Sequence, residues 1–106
     1  MTKVEIQSGV CGFVTKVSAD SQDGQTVRLT IESGCAGVRA LAQAMPDQLD
    51  AFELCFKKPG GGILYELAAQ HLPSHAGCIV IAGILKCIEA ECELALRRDC
   101  SIIFVD

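Results

Sequence analysis

Three of the seven cysteines stand at places where thiolate chemistry is favoured. Cys11 is followed directly by Gly12, Cys35 stands in Gly34-Cys35-Ala36-Gly37, and Cys78 falls in the first turn of a helix-like stretch. A thiol at a helix start meets unpaired backbone N–H groups and the positive end of the helix dipole. Its thiolate is thereby favoured, and with it nucleophilicity and metal affinity at neutral pH. Cys35 and Cys78 both fit that description. Three thiolates brought to one place leave one coordination position open, the pattern of a site where a ligand, a water or a labile cluster comes and goes. Such soft ligands suit an iron–sulfur cluster, Zn²⁺ or Cu⁺. His75, three residues before Cys78, is the nearest candidate for a fourth ligand, against an ordinary role as a cap or surface residue; His71 is a weaker one.

The other four cysteines read differently. On a helix Cys87 lies about 180° round from Cys78, and Cys92 lies about 21 Å further along the axis, so neither shares an ion with it. Cys55 in Leu54-Cys55-Phe56 and Cys100 at the head of an apolar run read as packing residues. No C-x-x-C pair is present, which argues against a closed zinc ribbon or a thioredoxin-like dithiol.

The elements that must position the trio follow from periodicity. Val4 and Ile6 alternate with polar neighbours, Val10 to Val17 is rich in strand formers, and Val27, Leu29 and Ile31 alternate after an Asp23-Gly24 turn signal. These predict an antiparallel sheet of about three strands with one solvated face, and a bulge or close approach at Gly12. Val38 to Met45 predicts a helix stopped by Pro46, and Ile63 to His71 a second helix ending before Pro73. Ala76 to about Leu96 gives the longest helical pattern, with Ser74 as a plausible cap, and Ser101 to Val105 reads as a final strand. Asp47 to Phe56 fits a short helix or a strand, and Lys57 to Gly62 reads as a solvated loop. The order points to an α+β fold with helices packed on one face of the sheet.

Composition narrows the function classes. A length of 106 residues predicts a single domain spanning 1–106. Thirteen acids against nine scattered bases give a net charge of -4, and only five aromatic residues are present. Neither nucleic acid nor an anionic membrane surface is expected as a partner. The longest apolar run, Ile79 to Leu85, is too short to cross a bilayer, and no secretory pattern opens the sequence. A cytoplasmic, reducing setting is therefore expected, in which an odd number of cysteines speaks for metal or thiol chemistry over a disulfide framework.

In order and context the three cysteines resemble those of the U-type iron–sulfur cluster scaffold family, the domain also found at the N-terminus of NifU. The matching elements are Cys11-Gly12, Gly34-Cys35-Ala36-Gly37, and His75-Ala76-Gly77-Cys78 leading into Ala82 to Ala90. Where that family carries Asp two residues after its first cysteine this chain has Phe13, and the family's histidine is adjacent to its third cysteine. The resemblance, over roughly Val10 to Leu96, implies a fold shared by that family and a related sulfur-acceptor family. It further implies Cys11, Cys35 and Cys78 as ligands, a scaffold or carrier role, and a sulfur donor or cluster-accepting protein as partner. Two other readings remain open. One is a thiol or persulfide carrier acting through a single cysteine, Cys35 or Cys78. The other is a structural or interaction domain whose thiols are all packing.

Overall fold

The computed structural model describes residues 1–106 and is an α+β fold. Strands β1 (Thr2–Gln7), β2 (Val14–Asp20) and β3 (Thr26–Ser33) form an antiparallel meander. After α1 (Ala36–Ala44), the two-residue β4 (Leu49–Asp50) pairs with the start of β3 and completes a four-stranded sheet in the order β1-β2-β3-β4. Helices α2 (Ala51–Cys55), α3 (Ile63–His71) and α4 (Val80–Glu91) follow.

The alternation read from sequence decides which side of the sheet is covered. Ile6, Thr15, Val17, Ala19 and Val27 are buried, while Lys3, Glu5, Lys16, Arg28 and Glu32 have their side chains on the other face. Because the register sets Val4 against Val17 and Val17 against Ile31, the inward residues form one continuous apolar face. Helix α4 lies on it with Val80, Ile81, Ile84, Cys87 and Ile88 buried, a stripe at helical spacing. Gly83 meets Ile6 so closely that a β-carbon there would collide with the Ile6 side chain. Further along the helix, Cys87 Sγ lies 3.3 Å from the Thr2 carbonyl oxygen. Helix α4 thus runs against β1 from its Ile6 end to its Thr2 end.

The structure corrects four expectations. A fourth strand arises from the ambiguous Asp47–Phe56 stretch, which splits into β4 and α2 at Asp50. The Asp50 carboxylate caps α2 by accepting from the N–H groups of Phe52 and Glu53. The long helix is shorter at both ends than Ala76–Leu96. Residues 74–79 form a loop with bonds from His75 N–H to Pro73 O and from Cys78 N–H to His75 O. At the other end Glu93 adopts φ 58°, while Leu94 N–H bonds Glu89 O and Glu93 N–H bonds Ala90 O. This is a Schellman closure with glutamate where glycine is usual. The final strand at Ser101–Val105 does not form: those residues adopt neither helix nor strand. Gly12 marks a turn, at φ 73°, not a bulge. No helix is long and apolar enough to cross a membrane.

Glu91, in the last turn of α4, pins the far end of the sheet. Its Oε2 accepts from Ser21 N–H at 2.9 Å and its Oε1 from the Thr2 hydroxyl at 2.8 Å. Burial alone would raise its pKa, but these bonds to the charged form outweigh it and hold the carboxyl below the ordinary value. A carboxylate so lowered contributes stability above its unfolded pKa of about 4.3, and the contribution is lost as pH falls through the folded value. Glu91→Gln should therefore lower the urea midpoint at pH 7 and flatten its decline below about pH 5. An unchanged pH profile would contradict the assignment. Left-handed backbone costs an L-residue about 1–2 kcal/mol, so Glu93→Gly should raise the urea midpoint and Glu93→Val should lower it.

Candidate functional site

The three thiol-bearing segments come to one end of the sheet. The row Ile6–Thr15–Ser33 forms the end of the meander from which β1 turns into β2 and β3 leaves for α1. The β1–β2 connection is closed by Ser8 N–H to Phe13 O at 3.3 Å and Gly12 N–H to Gly9 O at 2.9 Å. Positive φ at Gly9 and Gly12 makes the tight reversal possible and holds Cys11 exposed at its tip. Phe13 then folds across Gly34: a β-carbon on Gly34 would stand 2.8 Å from Phe13 Cδ1. The Cys11 turn is thereby packed against the residue preceding Cys35.

Cys35 is the N-cap residue of α1, and its side chain makes no capping bond. Its position is fixed through the backbone. Cys35 N–H donates to Ser33 Oγ at 3.1 Å, Ser33 Oγ pairs with the fully buried Thr15 hydroxyl at 2.8 Å, and Arg39 donates to Ser33 O at 3.0 Å. The strand end and the helix start are thus locked on either side of a half-buried thiol.

The third segment approaches through Gly37. A β-carbon there would stand 2.8 Å from His71 O and 3.1 Å from Pro73 Cδ, so glycine lets the end of α3 pass directly over the first turn of α1. From Pro73 the loop carries exposed His75 and half-buried Cys78 to the start of α4. Cys78 precedes the helix by two residues and does not lie in its first turn. The Gly83–Ile6 contact places that start beside the same end row.

Sharing an end is not the same as sharing a ligand set. No group of three or more His, Cys, Asp or Glu side chains is gathered closely enough to hold a metal ion, so Cys11, Cys35, Cys78 and His75 do not stand as a preformed site. Of their surroundings, sequence patterning missed the Thr15–Ser33 hydroxyl pair and the glycine contacts at Gly34 and Gly37. The small residues flanking Cys35 were the available signal.

The remaining thiols separate by environment. Cys87 is fully buried between α4 and the sheet, Cys92 is buried, and burial pushes both thiols up from their ordinary pKa. Cys55 forms part of the wall of an open cleft of about 230 Å³ beside Lys58, Tyr65 and Lys86, away from the trio. Burial, with Glu89 and Cys92 nearby, raises its pKa to about 11. Cys100 corrects the packing expectation, for it is exposed.

Thiolate is the reacting form and access decides which thiol meets the reagent, so timed alkylation of the folded protein should label exposed Cys11 and Cys100 first. Cys87 and Cys92 should remain unlabelled until denaturant is added, and half-buried Cys55, its thiol pushed up to about 11, should label more slowly than Cys11. Peptide mass spectrometry reads the order, and labelling of Cys87 as fast as Cys11 would contradict this arrangement.

No curated protein and no solved structure matches this sequence. A family model does, over residues 2–104, and so takes in all three cysteine segments, the glycines that seat them and the stretch beyond α4. On that match the chain belongs to the family of unknown function DUF6951.

Proposed function

We propose that the chain binds a soft metal ion or an iron–sulfur cluster at the Ile6–Thr15–Ser33 end, through Cys11, Cys35 and Cys78 with His75 beside them, as a cluster scaffold or carrier. The observation that carries this reading is the arrival of three thiol-bearing segments at one sheet end, each on a loop and none of them sealed in the core. Thiolates are the preferred donors for iron–sulfur clusters, Zn²⁺ and Cu⁺, and a site assembled from loops admits and releases its cargo more readily than a rigid cage. Because the sulfurs are not gathered beforehand, binding requires the Cys11 turn and the 74–79 loop to close on the ligand. The hydroxyl pair beneath Cys35 keeps the middle ligand in place while the outer two move. The partner this reading calls for is a sulfur donor or a cluster-accepting protein in the cytoplasm.

A second reading has its own support. Cys35 is the N-cap residue of a nine-residue helix and is half-buried, and its side chain makes no capping bond, so its thiol is not engaged by the helix backbone. As a single nucleophile it would carry sulfur as a persulfide, with no metal involved.

Reconstitution with ferrous iron and sulfide under anaerobic conditions, and separately with Zn²⁺, tests both. The cluster reading expects visible absorption and bound iron in the unaltered chain, at least tenfold less in Cys35→Ala and Cys78→Ala, and full retention in Cys100→Ala. A colourless protein that binds neither iron nor zinc sinks it. Stable persulfide on Cys35 alone, seen as a mass increase of one sulfur atom after treatment with a low-molecular-weight persulfide, would favour the second reading: the Cys35 thiolate attacks the donor's outer sulfur, the donor's S–S bond breaks and its thiolate leaves.

A further inference from the structure

The most exposed apolar stretch of the molecule lies beyond the last helix. Ile102, Ile103, Phe104 and Val105 are 78%, 74%, 97% and 88% exposed, four consecutive large hydrophobic side chains with no intramolecular cover. The stretch has the composition of a strand, rich in β-branched and aromatic residues. After Ala95, whose N–H bonds Glu89 O, no backbone group of residues 96–106 is hydrogen-bonded to another backbone group. A folded chain rarely leaves such a segment bare, because it is both an uncompensated apolar surface and a template for strand pairing.

The same molecule carries a matching vacancy. β1 is an edge of the sheet, with β2 on one side and no strand on the other. It is six residues long, pairs with β2 in unbroken register, and contains neither proline nor bulge to discourage a further strand. On the opposite side β4 covers only Thr26 and Val27 of β3, and the rest of that strand, Arg28–Ser33, is contacted by α1, which follows directly from it.

We infer that the segment Ser101–Val105 is an exchange arm that adds to the β1 edge of a second copy of this chain, each copy giving one arm and receiving one. Each copy has one strand-forming arm and, in β1, one edge strand with no neighbour on its outer side, so a two-fold pair engages both. Length agrees, the arm being one residue shorter than the six-residue β1. Added beside β1, the arm sets one alternate pair of side chains next to Val4 and Ile6 at the margin of the core and the other pair along the stems of Lys3 and Glu5. The area is sufficient. Four side chains of about 100–200 Å² each, given twice and covering a similar surface on the recipient, reach the roughly 1,200–2,000 Å² of a stable interface. The arm springs from the end of α4 that is anchored by Glu91, opposite the cysteine end, so exchange leaves Cys11, Cys35 and Cys78 uncovered.

Sedimentation equilibrium of the full chain under reducing conditions tests the exchange, together with Phe104→Asp and Ile103→Asp in the same full chain. The expected result is a dimer for the unaltered chain at about 100 µM, a concentration that populates any complex of micromolar affinity, and a monomer for each variant, whose thermal unfolding matches that of the unaltered chain diluted until it is monomeric. A second experiment locates the arm. Lys3→Cys protein and, separately, Gln7→Cys protein are mixed as light and ¹⁵N-labelled chains and oxidised, and the disulfide joining Cys100 to the introduced thiol, at position 3 for a parallel arm or position 7 for an antiparallel one, is examined by mass spectrometry. Mixed-isotope linkage supports exchange. A monomeric unaltered chain overturns the proposal, as does a dimer that survives both aspartate variants, or linkage confined to same-isotope pairs, which would mean that the arm folds onto its own β1.

Discussion

The structure depends on a single seam, the contact of α4 with β1 and β2. The meander has only one apolar face, and the element that covers most of it comes from the far end of the sequence. Close approach is achieved by removing a side chain: Gly83 admits Ile6, where any β-carbon would push the helix away. At the other end of the seam Cys87 fits beneath the Thr2 and Val17 carbonyls, and Glu91 binds Thr2 and Ser21. The helix is thus fixed by packing at its start and by charge-assisted hydrogen bonds at its finish, so its direction along β1 is determined. That direction delivers Cys78 to the end of the sheet where the Cys11 turn and Cys35 already stand.

The same economy of side chains recurs around the thiols. Gly34 accepts the Phe13 ring and Gly37 accepts the backbone of His71 to Pro73. Phe13 is a packing residue that ties one thiol segment to the next and joins the Cys11 turn to the strand end before α1. The thiol end is therefore a set of loops seated on a rigid row, with Thr15 and Ser33 as the fixed point between them.

Periodicity reveals what is carried locally. Val4–Ile6, Val27–Ile31 and Ile63–His71 hold their patterns within a few residues, and all fold accordingly. The ends of α4 are obscured because the apolar pattern continues past both limits, while the actual boundaries are set by loop hydrogen bonds and by the left-handed turn at Glu93. Ser101–Val105 has the residues of a strand and no partner strand within the chain, a distinction that propensity does not encode. The division of the cysteines is legible for Cys87 and Cys92, whose helical phase is set by their spacing, and illegible for Cys100, whose exposure follows from the unpaired tail. That the trio meets at one end can be argued from topology. The separation of its sulfurs cannot, because loop geometry of a few ångströms leaves no trace in residue types.

The distance in sequence between the two sides of the seam has a consequence for how the chain must come into being. Cys87 meets Thr2 across 85 residues, and Glu91 meets it across 89. At about 5–20 residues per second, a ribosome that has released β1 needs roughly 4–18 s more to supply the helix that covers it. Throughout that interval the meander can form its backbone ladder but has an uncovered apolar face. A sheet in that state has one apolar side and an open edge, and its only charged surface is the outer face that carries Lys3, Glu5, Lys16, Arg28 and Glu32.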